Sequence, residues 1–331
     1  CGIYKCERFQ EEKESTGQIN PFLGLNNLKN IKILFFEIYF QKLIEKIIKK
    51  AHYLRRSSND KYSQAEQILL AELDLLNWKP KHRLSFVKNF SDAQSSNRID
   101  AEYFQPMYEE IVKKFKDNSK CEILANITDL IGHPSNPPYA DVENKNKTFI
   151  ITQKHLGNYF PNDNFWEDSE ALYTTGDFIK KNKKFLLQKN DIILYSVGAY
   201  IGKANLYNSD IPATIGSFLT LIRPNKGKIN PYYLLVFLNS GLGKCLTRRC
   251  SRGMAQQYVY PFDIKEFTIP IISQDKQNKI EEIMIASLFD KQHSKKLLKI
   301  AKRGVEMAIE KDESQAQMWI DSKLKNLNIK L

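Results

Sequence analysis

A spacing of 236 residues organises this chain more than any local motif does. The stretch RGMAQQYVYPFDIKEFTIP, Arg252 to Pro270, has a fainter counterpart, TGQINPFLGLNNLKNIKIL, near the chain start. Superposing them sets Gly17 on Gly253, Leu28 on Ile264, Lys29 on Lys265 and Ile33 on Ile269. The register then persists to Ile44 on Ile280, Glu45 on Glu281 and Ile47 on Ile283. One module is written twice: a glycine-bearing polar loop, a short β-prone run ending at IKIL or FTIP, and an amphipathic helix. Chance coincidence of apolar residues is the competing account.

The first helix carries Ile44, Ile47, Ala51, Leu54, Ser58, Ala65 and Ile68 at alternating spacings near three and four, with Tyr62, Leu69 and Leu73 alongside. The second begins near Gln274 and carries Ile280, Ile283, Ser287, Lys291, Leu297, Leu298, Ala301, Val305, Ala308 and Ile309. Neither stripe is rich enough in large apolar residues to hold a helix alone, so the two are expected to pack on each other. At about 1.5 Å per residue, helices of about 30 to 35 residues make rods of roughly 50 Å.

Between them, WKPKHRLSFVKNF, Trp78 to Phe90, reads as a connector, and RIDAEYFQPMYEEIVKKFKD, Arg98 to Asp117, as a helical segment broken by Pro106. KTFIITQ, KKFLLQKNDIILYSVG and ATIGSFLTLIRP are β-prone runs with turn punctuation. PYYLLVFLNSGLGKCLTRRC reads as one helix that Pro231 opens and that Gly241 and Gly243 weaken. The expected fold class is α+β, with a mixed domain over roughly residues 79–273.

Length and a hydrophobic share of 42% allow one or two domains with cores of their own. A net charge of +12 favours a polyanionic partner, nucleic acid or an acidic membrane surface, although a lysine-rich habit could supply the same excess. Its distribution is more telling. From Ile211 to Phe262 there is no Asp or Glu, while Arg223, Lys226, Lys228, Lys244, Arg248, Arg249 and Arg252 are present. Such an unopposed field suits phosphate contacts.

No apolar run approaches the roughly 20 residues of a membrane span; ILFFEIYF is short and contains Glu37. A soluble, cytoplasmic protein without membrane partners is expected. Five cysteines, an odd count, argue against a disulfide framework and for a reducing compartment. Cys1 with Cys6 and Cys245 with Cys250 are spaced too widely for the usual zinc pairs, so no metal is assigned. The chain opens on Cys1 with no signal-like pattern behind it and reads as cut from a longer product.

The residues offered for DNA contact lie on three loops. Arg252, Gln256, Gln257 and Tyr258 follow the Arg248 and Arg249 pair, with Gly253 to allow close approach; glutamine suits adenine and arginine suits guanine. Ser196, Tyr200 and Lys203 belong to SVGAYIGKANL, which lacks the GK[ST] of a phosphate loop and is equally plausible as a tight hairpin turn. Gln153, Lys154 and His155 stand near a strand end, His155 being expected at the surface. Dispersed histidines and the absence of paired carboxylates leave no catalytic set. NPPY, Asn136 to Tyr139, is the tetrapeptide with which amino-methyltransferases grip an extruded adenine. Without a glycine-rich cofactor turn it reads first as a proline-rich turn, an S-adenosylmethionine-dependent DNA adenine methyltransferase being the alternative.

In order, AEQILLAELDLLNWKPKHRLSFVKNFSDAQSSNRIDAEYFQP, YSVGAYIGKANLYN, IGSFLTLIRP, NPYYLLVFLNSGLGK and DIKEFTIPI before a long helix resemble the specificity subunits of type I restriction-modification systems. The resemblance implies one mixed α/β target recognition domain over 79–273 and two long helices, 39–78 and 274–331 with its tail, packed as an antiparallel coiled coil. It makes 1–38 the end of another recognition domain. It further implies a non-catalytic reader of part of a bipartite site in double-stranded DNA, with methyltransferase (M) subunits docked on the helices and a restriction/translocase (R) subunit joining for cleavage. S-adenosylmethionine, ATP and Mg would then belong to those partners, none being bound directly. ILFFEIYF lacks the prolines of TIPIISQ at the equivalent place, a departure from the repeat.

Overall fold

The computed structural model of the protein describes residues 12–13, 15–16, 22–29, 31, 34–140, 148–162, 166, 171–253 and 256–331. Expectations resting on Cys1, Cys6, Gly17 and Ile33 lie outside these. In chain order the elements are α1 (Ile38–Glu72), α2 (Phe90–Ser96), α3 (Pro106–Asn118), β1 (Lys120–Ile123), β2 (Thr128–Gly132), β3 (Thr148–Ile151), β4 (Tyr173–Thr174), α4 (Gly176–Lys181) and β5 (Ile192–Tyr195). There follow β6 (Ala204–Leu206), β7 (Ala213–Ile215), β8 (Leu219–Pro224), α5 (Pro231–Asn239), α6 (Gly241–Cys250), α7 (Pro261–Lys265), β9 (Thr268–Ile271), α8 (Gln274–Glu310) and α9 (Glu313–Asn326). The fold is α+β, as expected from the patterning.

The repeat has a structural counterpart. α1 and α8 begin 236 residues apart, at Ile38 and Gln274, and so do the helical turn Leu25–Leu28 and α7. The long helices run for 35 and 37 residues.

Two compact units divide the chain, and the division falls inside both long helices: residues 1–61 with 285–331, and residues 62–284. In the first, Phe40, Ile47 and Ala51 of α1 share a core with Leu297, Ile300, Ala301 and Ala308 of α8 and with Ala316, Ile320 and Leu324 of α9. Hydroxyls complete the seam. Ser287 donates to the Ser58 carbonyl (2.8 Å) and Ser294 to the Ala51 carbonyl (2.7 Å), while Lys61 pairs with Asp290. From the Ala51–Ser294 contact to the Ser58–Ser287 contact the α8 number falls as the α1 number rises, so the two segments run antiparallel. Leu298 and Ile309, expected on the stripe, are instead partly exposed, and Ser294 and Ile300 are buried in this stretch. Apolar spacing alone does not say which side of a helix with mixed faces turns inward.

The second unit holds three small sheets: β1 with β9, the antiparallel order β2-β8-β5-β6, and β4-β3-β7, in which β3 and β7 run parallel. Ile151, Leu156, Ile193, Tyr207, Ile215 and Leu221 form its central core with Phe185 and Leu187. α5 is buried from Pro231 to Leu238, which the unbroken apolar run PYYLLVFL requires.

Three local expectations are corrected. Pro106 opens α3 rather than breaking a helix, because its missing N–H costs nothing at the first helical position. The expected single helix after Pro231 is two, since Ser240 turns its hydroxyl to the N–H groups of Leu242 and Gly243 and caps a new start. Lys183–Phe185 is a 3-10 turn, and ATIGSFLTLIRP gives two strands, β7 and β8.

Candidate nucleic-acid interface

The sheet β2-β8-β5-β6 positions the loops that matter. β5 and β6 form a hairpin whose connection, residues 196–203, turns through Gly198 and Gly202, both at positive φ. The segment after α6 docks on that connection. Gly198 N–H donates to the Gln257 carbonyl (2.8 Å), Val259 N–H to the Ser196 carbonyl (2.9 Å), and Val197 bridges Tyr258. Arg252 and Tyr258 exchange backbone hydrogen bonds of 2.8 and 2.9 Å. Gly253 sits there at φ 91°, and a Cβ would lie 2.3 Å from the Gln256 carbonyl oxygen. Only glycine fits that turn without strain.

A third segment joins them. Gln153 Nε2 donates to the Val197 carbonyl (2.6 Å), and Lys203 Nζ reaches the Leu156 carbonyl (3.5 Å) while lying over the Tyr200 ring. Burial lowers the Lys203 pKa from its ordinary value. The three sequence-separated groups of candidates therefore meet around one hairpin.

Their side chains are not equivalent. Lys154, Tyr200, Arg248, Gln256 and Gln257 are exposed, and Tyr258 is half-buried. Ser196 is buried, its hydroxyl 2.6 Å from Thr220 Oγ1, so it serves the sheet. His155, expected at the surface, is buried, and its Nδ1 accepts the Thr152 N–H (3.0 Å), closing the turn after β3. Arg252 is held by both oxygens of Asp263 and lies over the rings of Tyr260 and Phe262. Hydrogen bonding to Asp263 raises the Arg252 pKa further.

Signals the sequence reading passed over fix this loop from behind. Arg98, buried, donates to the carbonyls of Cys250 (3.1 Å) and Ser251 (3.0 Å) at the end of α6 and is paired with both oxygens of Asp100 (2.7 and 2.6 Å). That hydrogen bonding lowers the Asp100 pKa. The Tyr103 ring meets two guanidiniums, its centroid 4.6 Å from that of Arg98 and 4.9 Å from that of Arg249. The segment RIDAEY, read as plain helix, is an anchor for the loop. Its mixture of one arginine, two acids and an aromatic was the available signal.

The acid-free window does not make an acid-free surface. Arg223 is clamped by Asp191 (2.8 and 2.7 Å), itself buried, and Lys228 donates to the Asn126 carbonyl (2.8 Å). Acids from outside the window thus reach two of its arginines. NPPY lies beside the carboxyl ends of β3 and β7, where the Ser217 hydroxyl donates to Asn136 Oδ1 (3.3 Å). Among the described residues no cluster of His, Cys, Asp and Glu could hold a metal, and no helix is long and apolar enough to cross a membrane.

Three kinds of comparison bear on this arrangement. The family model described as type I restriction modification DNA specificity domain matches residues 111–300. A putative type I restriction enzyme MjaX specificity subunit of Methanocaldococcus jannaschii is 30% identical over 105 residues, which are 30% of this chain and 25% of that protein. Among solved structures, the S subunit of a type I restriction-modification system from M. genitalium aligns at a TM-score of 0.46 with 14% identity, covering 99% of this chain and 71% of that one. The HsdS subunit from Thermoanaerobacter tengcongensis aligns at 0.35 with 15% identity, over 97% and 66%. The chain aligns with about a quarter of the length of the curated relative.

Proposed function

The chain belongs to the family of type I restriction modification DNA specificity domains, and on that premise we propose that it is the sequence-specific, double-stranded DNA recognition subunit of a type I restriction-modification complex. The observation that carries the reading is the meeting of the 196–203 connection, the paired Arg252 and Tyr258 with Gln257, and the Gln153 turn, joined by hydrogen bonds, with Arg248, Gln256, Gln257, Tyr200 and Lys154 exposed around them. Arginine and lysine supply the phosphate contacts that set register, and the glutamine amides supply edge contacts that distinguish bases. Ser196, His155 and Arg252 support these loops from within.

In this reading the chain performs no chemistry itself. Residues 79–273 act as the target recognition domain for one part of a bipartite site, residues 39–78 and 274–331 supply the helices on which methyltransferase subunits dock, and residues 1–38 end a further recognition domain. S-adenosylmethionine, ATP and Mg are used by the methyltransferase and restriction/translocase partners, in the cytoplasm.

The test is co-expression with a methyltransferase subunit of the same system, purification of the complex, and selection from a random duplex pool. The expected result is a consensus bound about 10³-fold or more tightly than unrelated duplex at moderate salt. Gln257→Ala should then cost about 1–3 kcal/mol on that consensus and relax one position of it. Equal binding to all duplexes, or binding to single strands alone, would end the proposal.

A further inference from the structure

A cavity of about 370 Å³ opens outside the carboxyl ends of β3 and β7, the place in a sheet where parallel strands leave room for a ligand. Its lining includes Asn136, Tyr139, Gln153, Lys154, Ser217 and Phe218. Two features give it a definite chemistry. Tyr139 and Phe218 are 68% and 56% exposed, which leaves large aromatic surface uncovered at a concave site. The amides, in contrast, are each anchored at one end. Ser217 donates to Asn136 Oδ1, leaving that side chain two N–H donors and one acceptor lone pair; Gln153 spends one Nε2 hydrogen on Val197, leaving the other and its carbonyl oxygen.

Aromatic faces with fixed donor and acceptor edges suit a planar heterocycle that offers the same pattern on its own edge. Among the described lining residues the charge is a single lysine, with no carboxylate to bind a cation or an amine. A phosphate would leave the rings unused. Gln153 lines the cavity and donates to the Val197 carbonyl, which ties one cavity wall to the 196–203 connection.

We propose that this cavity is a subsite for one nucleobase displaced from the stack of the bound duplex, with Tyr139 and Phe218 as stacking faces and Asn136 and Gln153 as edge readers. The subsite rests on the DNA-recognition reading above. A displaced base loses its neighbours in the duplex and regains aromatic faces in the cavity, so the exchange is least costly at a weakly stacked step.

The experiment places a fluorescent base quenched by stacking, 2-aminopurine for purines or pyrrolo-cytosine for pyrimidines, in turn at each position of the selected duplex. On binding the complex, emission should rise at one position as the probe leaves its base neighbours, with the Tyr139 ring holding that rise below its full extent. Tyr139→Ala should change the emission at that position and weaken binding roughly 5- to 150-fold, the worth of one base–aromatic stack. Tyr139→Phe keeps the ring and should keep both, which separates stacking from any effect on folding. Asn136→Ala should relax base preference at that position alone. Selective binding with no emission rise at any position overturns the subsite and leaves DNA recognition standing; failure to select any duplex overturns both.

Discussion

The two ends of β8 place polar side chains in opposite circumstances, paired inward at one end and displayed on loops at the other. Near Pro224, Arg223 lies against buried Asp191 and also donates to the Leu186 carbonyl (2.9 Å), so its charge is consumed holding the β5 hairpin to the turn before it. Beyond Leu219, where Ser196 N–H bonds the Phe218 carbonyl, the sheet opens onto the loops that display Gln256 and Gln257. A cation contributes to a nucleic-acid surface only if no carboxylate arrives from elsewhere in the chain, and linear acid counts do not see that arrival.

The largest effect expected from this contrast is on stability. Asp191→Ala leaves the Arg223 guanidinium without its counter-charge and should cost about 3–5 kcal/mol in chemical denaturation, because breaking a buried pair strands the remaining charge. Duplex selectivity of the folded fraction should stay unchanged. A loss of selectivity at full stability would reverse the roles assigned to the two ends.

Next in size is Gly253→Ala, which forces a side chain into a backbone at φ 91° and toward the Gln256 oxygen. It should destabilise the loop by about 1–3 kcal/mol, read as lost base discrimination with a small shift in global melting. Smaller still, Arg248→Ala should change stability by no more than about 0.5 kcal/mol while lowering the slope of log affinity against log salt by about 1. Lys228→Ala, at the other end, should leave that slope alone; equal slopes for the two variants would erase the distinction. The smallest effect is chemical. Burial pushes the Cys250 thiol up to about 11, so little thiolate exists at pH 8 and alkylation should be slow until the pH nears that value. Reaction at pH 8 as fast as in denaturant would show that the anchor around Arg98 is open.

The long helices were legible because a period near three and a half persists over many turns in both, and the constant offset located their starts. The α+β class was legible from strand-like runs bounded by turn residues. Interior polar pairings were not. Nothing local to Arg223 announces Asp191, 32 residues away, and nothing local to Arg98 announces the carbonyls 152 and 153 residues on. Among the candidate contacts, sequence shows which residues share a loop, but exposure is a property of the assembled sheet. Ser196 and His155 face inward because β8 and the turn after β3 need their hydrogen bonds. The cavity beside Asn136 was equally invisible, since its walls come from three separated segments.

The seam between α1 and α8 holds one more consequence. Ser58, Ser287 and Ser294 lie fully inside it, each matched to a particular oxygen across the contact. Sliding one helix along the other by a turn would strand those hydroxyls, at about 1–3 kcal/mol apiece. An oily stripe tolerates slippage; this one behaves as a key in a slot, fixing alignment more firmly than its modest greasiness would suggest.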